Sequence, residues 1–247
     1  MIALSVNVNK VATLRNSRGG AIPSVLEAAR VIVDAGAPGI TVHPRADQRH
    51  ITTSDVHALA DVLAPLKGRV EFNIEGDPRP DLLELVRATR PDQCTLVPVR
   101  EGEITSQAGW APDTPASEMR RVTDELKGLG IRVSVFVDPD VTAVDWAAGI
   151  GADRVELYTE PFARAHAHGG QPAASCFHKY VIAARHAHER GLGINAGHDL
   201  DLDNLLTFRS LPHLAEVSIG HALVSRALFV GLAQVVGEYL AVLRGDS

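Results

Sequence analysis

The sequence of 247 residues predicts an α/β fold, a (β/α)8 TIM barrel with extra helices, as a single domain over residues 1–247. Three observations lead there. Strand and helix signals alternate from end to end and make eight pairs, the number such a barrel needs within about 250 residues. Turns from helices into strands are short, whereas several segments leaving strand ends are long, as they are where a barrel builds its site. The strands also carry polar residues on one consistent face. Leu4-Ser5-Val6-Asn7-Val8-Asn9 is followed by Ile40-Thr41-Val42-His43, Val70-Glu71-Phe72-Asn73-Ile74-Glu75, Val155-Glu156-Leu157, Ile194-Asn195 and Val217-Ser218-Ile219-Gly220. Strand side chains alternate between faces, so the apolar face lies under helices and the polar face points into the barrel. Carboxylates and imidazoles cost free energy there unless paired.

Taken in order, a strand at 3–9 and a loop at 10–21 precede a helix at 22–36, with Gly36 as a left-handed residue at its end. A strand at 39–43 and a loop at 44–52 lead to a helix at 53–66, opened by Thr53-Ser54-Asp55. The strand at 69–75 is followed by a helix at 80–89 with Pro80-Asp81 in its first turn. After the strand at 92–97 comes the connection 98–115, whose Gly102, Gly109, Pro112 and Pro115 suit either a lid or a plain surface excursion. A helix at 116–129 ends before Gly130; a strand at 131–137 and a helix at 140–150 follow, the helix opened by Asp138-Pro139-Asp140 and closed by Gly151. Next come a strand at 153–158, a loop at 159–172, a helix at 173–190 with Gly191 past its end, and a strand at 192–196. A helix at 200–210, a strand at 215–219 and a long helix at 222–244 complete the pattern. A doubly wound open sheet is the alternative, but it needs a Gly-rich nucleotide turn, and neither GxGxxG nor GxxxxGK[ST] occurs.

Composition narrows the function. With 45% hydrophobic and 22% charged residues the chain reads as an ordinary globular protein. A net charge of -6 argues against a nucleic-acid surface. No signal peptide follows Met1 and no apolar run of about 18 residues occurs, so a cytoplasmic protein without membrane contact is expected. Cys94 and Cys176 lack CxxC spacing and are expected to be core residues.

The chemistry gathers at strand ends. His43-Pro44-Arg45-Ala46-Asp47-Gln48-Arg49-His50 follows the second strand, with His43 facing inward and a loop of guanidinium and imidazole groups suited to a phosphate dianion. Asn7 and Asn9 share the inward face of the first strand, with Lys10 beside them, and Arg18-Gly19-Gly20 allows a backbone to approach an anion. Glu71 and Glu75 lie on the same inward face; burial and like charge raise a carboxyl pKa toward the range of acid–base work. A buried ion pair is the plainer reading. Asn195-Ala196-Gly197-His198-Asp199 ends the seventh strand, and Ser218-Ile219-Gly220-His221 ends the eighth and opens a helix, the usual phosphate position in such barrels. His57, His166, His168, His178, His186, His188 and His213 receive no role; the HxH of His166 and His168 has no acidic partner at a fixed spacing, and no metal site is assigned.

Together VNVNKVATLRNSRGG (6–20), GITVHPRADQRHIT (39–52), EFNIEG (71–76), LVPVREGEITSQAGW (96–110), INAGHDL (194–200) and EVSIGHALVSRALFVGL (216–232) resemble the pyridoxine 5′-phosphate synthase family over nearly the whole chain. The resemblance implies a (β/α)8 barrel with added helices, a homo-octamer, and neither metal nor organic cofactor. The reaction it implies is condensation of 3-amino-2-oxopropyl phosphate with 1-deoxy-D-xylulose 5-phosphate, giving pyridoxine 5′-phosphate, phosphate and water. It implies acid–base roles for His43 and Glu71, the latter reaching up from the barrel floor, and a proton-donor role for His198. Asn7, Arg18, Gly220 and His221 match the family's aminoketone phosphate site; Arg45, His50 and Thr105 match its deoxyxylulose phosphate site. Asn9, Lys10 and Asp199 depart from the Asp, His and Gly of many members and are expected at substrate contacts that differ in detail. Two other readings stand beside this one. A different phosphosugar lyase or isomerase would need an essential lysine inside a strand, and none is there; a non-catalytic precursor-binding protein would lack His43, Glu71 or His198, and all are present.

Overall fold

The computed structural model describes residues 1–99 and 106–246. It runs β1 (Ala3–Asn7), α1 (Asn9–Asn16), α2 (Val25–Asp34), β2 (Gly39–Val42), α3 (Thr53–Leu63), β3 (Glu71–Gly76), α4 (Pro80–Thr89), β4 (Gln93–Leu96), α5 (Ala116–Gly128) and β5 (Arg132–Val137). It continues with α6 (Val141–Gly149), β6 (Arg154–Tyr158), α7 (Glu160–His168), α8 (Gly170–Glu189), β7 (Gly193–Gly197), α9 (Leu205–Phe208), β8 (Leu214–Ile219), α10 (His221–Val230) and α11 (Leu232–Arg244). Each strand pairs in parallel with the next, and β1 pairs with β8, closing the barrel. The TIM-barrel architecture is therefore present. The extra helices are α1, α7 and α10, each placed between a strand end and a second helix.

Alternation along the strands divides the interior as the sequence requires. Leu4, Val6, Ile40, Val42, Ile74, Leu96, Val135, Val155 and Val217 are buried against the helix layer. The register levels Asn7 with Thr41, Asn73 with Thr41 and Gln93, Glu75 with Thr95, Glu156 with Asn195, and Gly197 with Ser218. These are the inward positions, and they are polar. Hydrogen bonds satisfy the middle of the column: Ser5 and Thr41 hydroxyls lie 2.7 Å apart, Asn73 donates to Thr41 at 3.3 Å, and the Thr95 hydroxyl donates to Asn73 at 3.1 Å.

The helix signals hold with local changes. Thr52 and Asp55 form a reciprocal capping box on α3, Asp140 caps α6, and Pro80 sits in the first turn of α4. Gly36, Gly130, Gly151 and Gly191 all have positive φ. Several segments differ from expectation, among them the expected helix 200–210, which is helical only over Leu205–Phe208. The first strand ends at Asn7 because Val8 turns out of extended geometry (φ −91°, ψ 9°), so Asn9 opens α1 instead of ending a strand. The expected loop 159–172 is largely helical, with Pro161 in the first turn of α7, where its missing N–H costs nothing. The expected final helix is two, because Gly231 (φ 93°) breaks the pattern between α10 and α11.

In the 98–115 connection, Trp110 pins the second half to the barrel. Its N–H donates to Phe136 O and its indole Nε1 to Leu96 O, both at 2.9 Å, while Gly109 lies directly against the Val137 backbone. Residues 106–115 are thus docked against the barrel, and residues 100–105 of the same connection lie outside the described residues. Against the neighbouring strand β6, Tyr180 of α8 donates its buried hydroxyl to Tyr158 O at 2.6 Å. Tyr180→Phe is expected to cost about 1–3 kcal/mol by leaving that carbonyl unsatisfied; urea unfolding with no change in midpoint would show that α8 is held by packing alone.

Candidate active site

At the C-terminal mouth of the barrel a cavity of about 510 Å³ opens among the strand ends. His43 and Arg45 line it from the segment after β2, with His50 beyond them; both His43 and Arg45 are buried. That segment is fixed from several sides. Arg15 of α1 grips Asp55 of α3 through Nη1 and Nη2 at 2.5 and 2.8 Å, and Nη2 also reaches His50 O at 3.2 Å. Asn16 donates to His50 O at 2.8 Å, and Arg79 donates to Pro44 O at 2.5 Å. Paired, partly buried guanidinium–carboxylate forks hold geometry well, so the cationic loop is a rigid platform.

Asn7 and Asn9 act on this platform. The Asn9 side-chain oxygen accepts from His43 N–H at 3.0 Å, and Asn9 N–H donates to the Asn7 oxygen at 3.0 Å. Asn7 Nδ2 donates to Glu75 Oε2 at 3.4 Å, and that same oxygen lies 3.7 Å from His43 Nδ1. The four residues close a ring. Asn7 and Asn9 therefore face the cavity as expected, and both also orient His43 and Glu75.

Burial dominates the electrostatics. Desolvation, with the positive charges of His50, Arg45 and Arg79, brings the His43 imidazole down to about 3. Desolvation, with Arg45 and Lys10, brings His50 down to about 4, and His50 Nδ1 accepts from Ile51 N–H at 2.9 Å. Burial and Glu216 push the Glu75 carboxyl up to about 8 against the opposing contact from the Ser218 hydroxyl at 3.5 Å. Glu156 is pushed well up by burial and by Glu75. Its carboxylate lies over Gly197, so close that any side chain there would displace it.

On the other wall, His198 and Asp199 take left-handed backbone (φ 83° and 60°), a conformation that costs non-glycine residues about 1–3 kcal/mol. The Thr159 hydroxyl donates to Gly197 O at 2.7 Å and to His198 O; Asn204 donates to Asp199 O at 3.0 Å. The His198 ring stands edge-on to Tyr158 and meets Asp199 Oδ2 through Nδ1 at 2.8 Å, which holds the Asp199 carboxyl below its usual range. Gly220 precedes and His221 begins α10 beside Asn7, so close that a Cβ on Gly220 would lie 3.0 Å from the Asn7 backbone carbonyl oxygen. The first N–H groups of α10 have no side-chain cap and suit an anion. Lys10 completes the lining from α1.

Two expected site residues, Arg18 and Glu71, fall elsewhere, and a third is not among the described residues. Arg18 is exposed in the turn after α1 and does not line the cavity. Thr105 lies outside the described residues. Glu71 begins β3 at the opposite end of the barrel, bound to Arg132, so it does not reach up to the mouth. The inward carboxylate at the mouth is Glu75. The sequence holds the signal for it, since Gly76 ends the strand and makes Glu75 its last inward side chain.

The raised Glu75 carboxyl makes stability depend on pH. An unfolded Glu75 releases its proton near the ordinary value of 4.5 and the folded one near 8, so within that window the unfolded chain binds fewer protons. This group's contribution to stability therefore falls as pH rises through the window. Glu75→Gln is expected to flatten that fall; urea midpoints that decline equally in both proteins across the window would contradict it.

The barrel resembles solved structures at low identity, which speaks to fold alone. Phosphoribosyl anthranilate isomerase from Thermotoga maritima matches with a TM-score of 0.62 and 12% identity, covering 99% of this chain and 100% of that one. The family model described as "Pyridoxal phosphate biosynthesis protein PdxJ" matches residues 4–245. Proteins named pyridoxine 5′-phosphate synthase from Xanthomonas campestris pv. campestris (strain B100) and Bacteroides fragilis (strain YCH46) are 53% and 51% identical. Each alignment covers 99% of this chain, and 97% and 100% of the relatives respectively. With the match running from the first strand to the last helix, the chain belongs to the PdxJ family.

Proposed function

We propose that this chain is a pyridoxine 5′-phosphate synthase, condensing 3-amino-2-oxopropyl phosphate with 1-deoxy-D-xylulose 5-phosphate and releasing phosphate and water by acid–base catalysis. The observation that carries the reading is one mouth cavity whose lining includes two groups of residues suited to anions. Arg45 and His50 form one; Gly220, His221 and Asn7 form the other, and His43 and His198 stand on the cavity wall. Two phosphates held apart would fix the carbons that must join and remove much of the entropic cost of their encounter. Schiff-base formation, loss of water and phosphate, and ring closure each move protons at carbon or oxygen, the work of groups such as these imidazoles.

In this proposal Asn9, Lys10 and Asp199 contact the sugar, and Arg18 and Thr105 keep the phosphate roles that the resemblance implies. Residues 1–247 act as one catalytic domain, with no added metal or organic cofactor. A cytoplasmic homo-octamer belongs to the same reading. Among the described residues no helix is long and apolar enough to cross a membrane, and the exposed Leu228 and Phe229 at the end of α10 supply apolar surface for a subunit contact.

Purified protein given both substrates is expected to release phosphate and form a pyridoxine chromophore. Failure on this pair with clean turnover of another phosphosugar would defeat the proposal. His43→Ala and His198→Ala are each expected to lower kcat about 100-fold or more, read by phosphate release. Glu71→Gln decides whether that carboxylate acts from below the cavity: turnover equal to wild type removes it from the proton transfers.

A further inference from the structure

The inward column of this barrel is polar along most of its height but changes character at the rim of three neighbouring strands. At or just past their ends, β1, β2 and β3 present Asn7, His43 and Glu75; the corresponding inward positions of β4, β5 and β6 are Val97, Phe136 and Tyr158. These three form an apolar cluster of their own, apart from the core under the helices. The Phe136 and Tyr158 rings meet at 5.4 Å between centroids, and Tyr158 meets the His198 ring at 5.2 Å. Val97 and Phe136 line the mouth cavity although each is only 4% exposed.

The wall is fixed and its polar neighbours are engaged. Val97 N–H donates to Gly76 O and Trp110 N–H to Phe136 O, both at 2.9 Å. The Ser106 hydroxyl donates to Pro98 O at 3.5 Å, and Glu156, level with Phe136, lays its carboxyl over Gly197. Apolar side chains facing a ligand cavity favour the part of a ligand that has no polar atom to desolvate.

We propose that Val97 and Phe136 form the subsite for the C1 methyl group of the ketose phosphate and thereby select a 1-deoxy sugar over its 1-hydroxy counterpart. This rests on the function proposed above. The aminoketone phosphate ends in an amine and a phosphate, whereas the ketose ends in a phosphate and a methyl. That methyl is the one chain end in either substrate without a polar atom, and its carbon forms no new bond in the condensation. Strands four apart face each other in an eight-stranded ring, so β6 stands across from β2 and β5 across from β1. A ketose whose phosphate sits at Arg45 and His50, after β2, extends its other end toward this wall. A hydroxyl at C1 would give up water there and meet carbon; a methyl gives up nothing.

The test compares kcat/KM of the full chain for 1-deoxy-D-xylulose 5-phosphate and D-xylulose 5-phosphate, each paired with the aminoketone phosphate. Absence of turnover with the deoxy sugar defeats the proposed function and this inference with it; the remaining outcomes bear on the inference alone. The wild type is expected to prefer the deoxy sugar about 100-fold. Val97→Thr puts a hydroxyl into the wall at nearly constant volume and should cut that ratio about tenfold, with KM for the aminoketone phosphate changed by less than about threefold. Phe136→Leu should lower the ratio as well. A wild type that does not discriminate overturns the proposal. So do variants that lose equally on both sugars and keep the ratio, the behaviour of a purely structural wall. Should the variants fail to fold, the wild type decides with ketose phosphate carrying ¹³C at C1. Nuclear Overhauser contacts from its methyl to the Phe136 ring and the Val97 methyls support the subsite, and contacts to other side chains alone overturn it.

Discussion

Closing parallel strands into a barrel sends every second side chain into a space shielded from bulk water, and this chain puts Glu71, Glu75, Glu156 and Glu216 there. The arginines are not spread evenly among them. Arg132 binds Glu71 at the lower end, and Arg154 lies 3.7 Å from Glu216 and donates to Asn195 at 2.7 Å. Gln93 accepts from both Arg132 and Asn195, tying the floor together. The upper carboxyls, Glu75 and Glu156, have burial and each other instead of a guanidinium, and both are pushed up, as burial also pushes up Glu216 despite its nearby Arg154. The rest of the site depends on this segregation of charge along the barrel axis.

Above these carboxyls, Arg45, His50 and Lys10 surround the entrance, and beside desolvation the positive charges of Arg45, Arg79 and Lys10 help keep His43 and His50 uncharged. A site with anion-binding groups outside and proton-carrying groups inside separates holding from reacting. In the proposed function, phosphates would engage fixed donors while the groups below them would carry the protons. The strain in His198 and Asp199 belongs to the second task, since it aims one imidazole inward while Thr159 and Asn204 hold the backbone behind it.

Much of this is legible in the sequence. Alternation fixes which residues face inward, and the strand-end motifs place His43, Arg45, His50, His198, Gly220 and His221 at one mouth. What alternation cannot supply is height along the axis. Glu71 and Glu75 share a face, so their pattern is the same; only the position of each relative to the strand's end separates floor from rim. Asn9 escapes for a related reason. Val8-Asn9 continues the alternation of β1, yet the chain leaves the strand at Val8, and Asn9 reaches His43 from a helix start. The split at Gly231 is hidden because the apolar pattern runs through it. The outward position of Arg18 is a matter of where a turn points, and a turn's direction depends on packing that composition does not encode.

The segregated interior has a further consequence for ligand binding. Desolvation is the largest cause that pushes the Glu75 and Glu156 carboxyls up, so their ionisation answers to whatever fills the space above. Water reaching the cavity base favours the carboxylates; a substrate that excludes water favours the acids, and one that brings an ammonium group reverses the preference again. Occupancy and net charge are thus one linked equilibrium. A ligand that changes the hydration of these carboxyls would carry protons with it, and its heat of binding would then depend on the ionisation enthalpy of the buffer.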